Sequence, residues 1–128
     1  MAKRSIALLI VIMAFLVAVA AGFDGTQEFA ACNVNKLSAG SPLFSVIGKL
    51  LSKLIRETPY NGYDYKTSVS GNGQKAYGEG TCNQSISVGD CGSCLKYLAD
   101  NIWGICSNAV GARVQLHDCY IRYETYSF

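Results

Sequence analysis

The chain has 128 residues, half of them hydrophobic, and a formal charge of +2, a length that fits one domain. Both figures are skewed by the first 22 residues, which hold Lys3 and Arg4 and no acid; residues 23–128 carry nine Lys/Arg against nine Asp/Glu, a net charge of zero. That balance argues against a nucleic-acid binder working by bulk positive charge and against a simple cationic membrane-disrupting peptide, while a single histidine, His117, rules out a multi-histidine metal site and no glycine-rich phosphate loop is present.

The N-terminus has the three parts of a secretory signal: a short basic region, an unbroken apolar run from Ile6 to Ala21, and small residues at Ala18, Ala20, Ala21 and Gly22. The run is shorter than the roughly 20 residues that span a bilayer. We therefore expect a cleaved signal at 1–22, a single domain at 23–128, an extracellular (apoplastic) location and no membrane insertion of the mature chain.

A short strand is expected at 29–33. The first helix opens at Ser41-Pro42, a cap residue followed by proline at the first helical position. Leu43, Val46, Ile47, Leu50, Leu51, Leu54 and Ile55 form its apolar stripe, and Pro59 ends it. Strands at 63–70 and 75–82 flank the turn Gly71-Asn72-Gly73. A second helix opens at Ser87-Val-Gly-Asp90, spaced like a capping box. Its stripe is Cys91, Cys94, Leu95, Leu98, Ile102 and Ile105, with Trp103 beside it as core. Strands at 112–117 and 120–126 complete an α+β domain, two helices covering one face of a roughly five-stranded antiparallel sheet.

In the last hairpin Arg113, Gln115 and His117 share a polar face, as do Tyr120, Arg122, Glu124 and Tyr126. A turn at Asp118-Cys119 pairs His117 with Tyr120, so paired numbers sum to 237 and Arg113 faces Glu124. An even sum would set polar side chains against apolar ones. An Arg and a Glu side by side, flanked by Tyr126, can bind a sugar: the carboxylate accepts from hydroxyls, the guanidinium donates, and the ring packs on the pyranose. The plainer alternative is a cross-strand ion pair of ~0.2–1 kcal/mol.

All six cysteines, Cys32, Cys82, Cys91, Cys94, Cys106 and Cys119, follow the signal. An even number in a small secreted chain reads as three disulfides, in any of fifteen connectivities. Cys91-Gly-Ser-Cys94 lacks the βαβ context of a redox site, and a zinc site would need four thiolates or histidines in an environment where thiols stay reduced. No metal and no cofactor is implied.

The spacing Cys82-x8-Cys91-x2-Cys94, followed by Cys106, Gly111-Ala-Arg-Val114, Cys119 and Arg122-Tyr-Glu124, resembles the cysteine-rich secreted domain of plants. That domain occurs in ginkbilobin-type antifungal proteins and in the ectodomains of cysteine-rich receptor-like kinases. Cys32-Asn33, Tyr63-Asp-Tyr-Lys-Thr-Ser68, Ala76-Tyr-Gly78 and Gln84-Ser-Ile-Ser87 also fit. The resemblance covers 23–128; the segment from Ser70 to Lys75 is shorter than in the family. It implies two helices on a five-stranded antiparallel sheet and bridges Cys32–Cys106, Cys82–Cys91 and Cys94–Cys119. It also implies mannose binding by Asn33, Arg113 and Glu124. Asn33 enters through the resemblance alone. The function implied is that of a secreted defence lectin binding mannose or mannan of fungal walls and restraining growth. The alternative is an interaction module acting on a receptor or pathogen protein. No enzyme is expected: a glycosidase needs two carboxylates flanking the bond, and the reading sets an arginine opposite Glu124. Asn83-Gln84-Ser85 is a glycosylation sequon within a short loop.

Overall fold

The computed structural model describes residues 22–128. The expected signal at 1–22 lies outside the described residues but for its last position.

Five strands and two helices follow in the order β1 (Gln27–Cys32), α1 (Leu43–Glu57), a 3-10 turn (Thr58–Tyr60), β2 (Asp64–Gly71), β3 (Gln74–Cys82), α2 (Val88–Ile105), β4 (Ala112–Leu116) and β5 (Cys119–Glu124). The strands form one antiparallel sheet in the order β1-β4-β5-β3-β2, so the expected α+β class and architecture hold.

Local chemistry accounts for the helix ends. Ser41 Oγ accepts from the Leu43 N–H at 3.2 Å, ahead of Pro42 with φ −63°. This satisfies one of the donors that a helix start leaves unpaired. Ser87 Oγ does the same for the Asp90 N–H at 3.1 Å, and the Asp90 carboxylate suits the positive end of the helix dipole. Pro59 lies in the 3-10 turn that closes α1, having no N–H with which to continue it.

The apolar stripes of both helices pack on one face of the sheet. Val46, Ile47, Leu50 and Leu54 of α1 and Leu95, Leu98 and Ile102 of α2 meet Ala76, Val114, Ile121 and Tyr123. At Gly78 a Cβ would lie 2.9 Å from Leu50, so α1 approaches β3 as closely as it does because that strand carries no side chain there. Trp103 is half-buried between Phe44 and Tyr123, with ring centroids 5.4 and 5.7 Å apart. Tyr123 is fully buried, and its hydroxyl donates to the Ala109 carbonyl at 2.8 Å.

Disulfides join Cys32 to Cys106, Cys82 to Cys91 and Cys94 to Cys119, the pairing that the resemblance implied. Cys91 and Cys94 lie one turn apart on α2 and reach different partners, β3 and β5.

The β2–β3 hairpin turns at Asn72-Gly73, both with positive φ (53° and 72°), the geometry of a two-residue hairpin turn. The last hairpin corrects our expectation. Arg113 pairs with Arg122, not with Glu124, and Gln115 with Tyr120, not with Arg122. Paired numbers sum to 235, two fewer than expected, because the turn is His117-Asp118. Cys119 is already strand: it pairs with Cys82 of β3 and is bridged to Cys94. Asp118 is buried and turned inward, where its carboxylate accepts from the Asp24 N–H at 2.6 Å and from Asn83 Nδ2 at 3.1 Å. A shift of two preserves the face of every side chain. Arg113, Gln115, Tyr120, Arg122 and Glu124 therefore lie together on the sheet face away from the helices.

Candidate functional site

On that open face a cavity of about 260 Å³ is lined by Ala31, Cys32, Asn33, Arg113, Arg122, Glu124 and Tyr126. The three residues proposed from the sequence as sugar-binding, Asn33, Arg113 and Glu124, thus line one cavity.

Each arrives from a different element. Glu124 ends β5. Its carboxylate lies against Gly111, where a Cβ would overlap it; glycine in the Gly111-Ala-Arg113 segment leaves the space that the acid fills. Arg113 projects from β4 and is exposed, with its guanidinium carbon 6.0 Å from the centre of the Phe29 ring on β1. Asn33 follows Cys32, whose bridge to Cys106 ties this end of β1 to the end of α2. The Asn33 N–H donates to the Gly111 carbonyl at 2.9 Å, extending the β1–β4 pairing to the site. Asn33 Oδ1 accepts from the Asn35 N–H at 2.9 Å, an Asx turn. The turn role open to any asparagine is therefore filled by Oδ1.

The ion pair of the site is Arg122 with Glu124, not Arg113 with Glu124. Arg122 Nε donates to Glu124 Oε1 at 3.4 Å, and its Nη2 to the Tyr126 hydroxyl at 3.5 Å. The guanidinium carbon lies 3.9 Å from the centre of the Phe128 ring, within cation–π range. Sequence reasoning placed Arg122 on the right face but missed this role, having set it opposite Gln115. Arg113 is left outside any salt bridge found among the described residues. Chemically the cavity offers one acid with free acceptor capacity, two guanidiniums, one amide donor and one aromatic side wall.

Other cavities differ in kind. An open groove of about 400 Å³ between the helices is lined mainly by Leu51, Ile55, Ala99 and Trp103, with the Lys96–Asp100 ion pair at its rim. Among the described residues no group of three His, Cys, Asp or Glu is arranged to hold a metal ion, and no helix is long and apolar enough to cross a membrane.

Comparison with known proteins adds a second line of evidence. Residues 31–126 match the salt stress response/antifungal family. The chain is 51% identical to the antifungal protein ginkbilobin-like protein 1 of Picea sitchensis over 130 residues, covering 99% of this chain and 98% of that one. It is 51% identical to the antifungal protein ginkbilobin-2 of Ginkgo biloba over 100 residues, covering 77% of this chain and 75% of that one. Among solved structures, the tandem DUF26 ectodomain of the Arabidopsis thaliana cysteine-rich receptor-like protein PDLP8 superposes with a TM-score of 0.74 at 24% identity. This likeness is one of fold, and it covers 83% of this chain and about half (51%) of that one.

Proposed function

The chain belongs to the salt stress response/antifungal family, and from that premise we propose that it is a secreted plant defence lectin that binds mannose units of fungal cell-wall glycans and restrains fungal growth. The observation that carries the proposal is the convergence of Asn33, Arg113 and Glu124 on one cavity of the open sheet face.

Each side chain has its own task in this reading. Glu124 accepts from neighbouring sugar hydroxyls, Arg113 donates to them, and Asn33 donates through Nδ2. Arg122 holds the Glu124 carboxylate in place through its ion pair. The exposed ring of Tyr126 packs on a pyranose face. Charge-assisted hydrogen bonds exceed neutral ones, yet an open site competes with water and leaves only a small net gain per bond. Monosaccharides should bind weakly, and useful retention should come from many sugar units presented together.

The test measures mannan retention and thermal melting for the parent, Asn33→Ala, Arg113→Ala and Glu124→Gln. The expected result is loss of retention at each position with melting close to that of the parent. Retention like the parent's in all three variants overturns the site. A parent that ignores mannan overturns the lectin reading and favours a protein partner.

A further inference from the structure

A second cavity, of about 220 Å³, opens on the sheet and is lined by Lys66, Thr67, Ser68, Tyr77, Gly78 and Phe128. It adjoins the first. Glu124, in the wall of the first cavity, is the cross-strand partner of Tyr77, and Tyr77 in turn is the partner of Ser68. Phe128 stands between them, approached by Arg122 of the first cavity at 3.9 Å and by Lys66 of the second at 5.4 Å. The two cations pin the ring, half-buried, against the sheet.

We infer that this second cavity is a further sugar subsite, and that the open sheet face binds a mannan chain across strands rather than one sugar alone. The inference rests on the mannose reading of the first cavity. Its chemistry is that of a secondary subsite. The Tyr77 and Phe128 rings offer apolar faces to the C–H side of a pyranose, and Lys66 Nζ and the Ser68 hydroxyl supply polar contacts for its edge. No carboxylate lines it, so it adds area and length selectivity where the first cavity adds orientation. The spacing suits a continuous chain: the first cavity centres near β4 and the second between β3 and β2, about 10–14 Å away at strand spacing, which a chain of about three linked pyranoses bridges.

The experiment titrates linear mannose oligomers of one to five units into the parent, Tyr77→Ala and Phe128→Ala. In the parent, affinity should climb to about three units and then level. In each variant the gain in affinity from monosaccharide to trisaccharide should shrink on the order of tenfold, the equivalent of ~1.4 kcal/mol. Phe128→Ala lies beyond every strand, and it keeps the test decisive should Tyr77→Ala disturb β3. A length dependence unchanged in Phe128→Ala overturns the second subsite and leaves the first standing. A parent silent at every length overturns both.

Discussion

At the scale of single residues, the distinction that matters is between the two arginines. Arg113 is exposed and, among the described residues, outside any salt bridge. Arg122 is committed: it pairs with a carboxylate only 7% exposed and lies under Phe128. Truncating them should separate stability from binding. Arg122→Ala leaves the buried Glu124 acid without its cation, which costs about 1–3 kcal/mol. Arg113→Ala removes an exposed side chain and should stay within about 0.5 kcal/mol of the parent. Urea unfolding midpoints check this, and equal midpoints would refute the assignment of roles. This part of the site was only half legible. Strand alternation put Arg113, Arg122 and Glu124 on one face, because that periodicity survives a shift of two residues. Arg122 and Glu124 sit two residues apart on one strand, so their pair needs no register; whether Arg113 also faces the acid depends on register, and alternation alone does not set it. Asn33 had no local signal: an Asn after a strand reads as a turn former, and it is one. Its place in the site comes from a bridge joining residues 74 apart in sequence.

At the scale of elements, edge strand β1 pairs on one side only, with β4. Most of its residues are exposed, and besides its pairing to β4 it is held at its two ends. At one end, the Cys32–Cys106 bridge closes a separation of 74 residues, and constraint of the unfolded chain makes such a bridge worth about 4 kcal/mol. Replacing both cysteines by alanine should lower the melting temperature and release Asn33, so that mannan retention falls further than for a control lacking the Cys82–Cys91 bridge, which spans only 9. Equal retention in the two double variants would remove Asn33 from the site. At the other end, His117 Nδ1 lies 2.6 Å from Glu28 Oε1, and that hydrogen bond, against the opposing effect of burial, raises the His117 pKa above its ordinary 6.5. A raised pKa in the folded state means the pair stabilises fully below about 6.5 and loses its contribution as pH rises through the folded value. An NMR titration should find His117 displaced upward in the parent and returned toward 6.5 in Glu28→Gln; no change between them would break the assignment. The elements themselves were legible because each carries local marks: Ser-Pro and Ser-x-x-Asp at helix starts, Asn-Gly at a hairpin, unbroken stripes between. Asp118-Cys119 carried a misleading mark. It reads as a turn until Cys94, Cys82 and the Asp24 N–H, all distant in sequence, claim those two residues.

At the scale of the whole molecule, charge decides how the protein can act. Residues 23–128 have no net charge, and the cations of the open face share it with acids. Along one cross-strand row Arg113 and Arg122 are followed by Glu79 and Lys66, with Glu124 one row away. Such a surface has no long-range field to draw it to an anionic bilayer, and what local attraction it has is screened within about 8 Å at physiological salt. Among the described residues no helix is long and apolar enough to cross a membrane. Three disulfides fasten α2 and its C-terminal end to β1, β3 and β5, so exposing the apolar face of α2 to lipid would require unfolding a bridged core. On the proposed lectin reading, growth restraint should therefore run through wall glycan. Vesicles of anionic lipid should hold their dye at protein concentrations that slow a sensitive fungus, and soluble mannan added to the culture should relieve the inhibition. Leakage in the inhibitory range would make the membrane the target. Inhibition that mannan does not relieve, with vesicles intact, would separate sugar binding from growth restraint and leave the lectin site with another purpose.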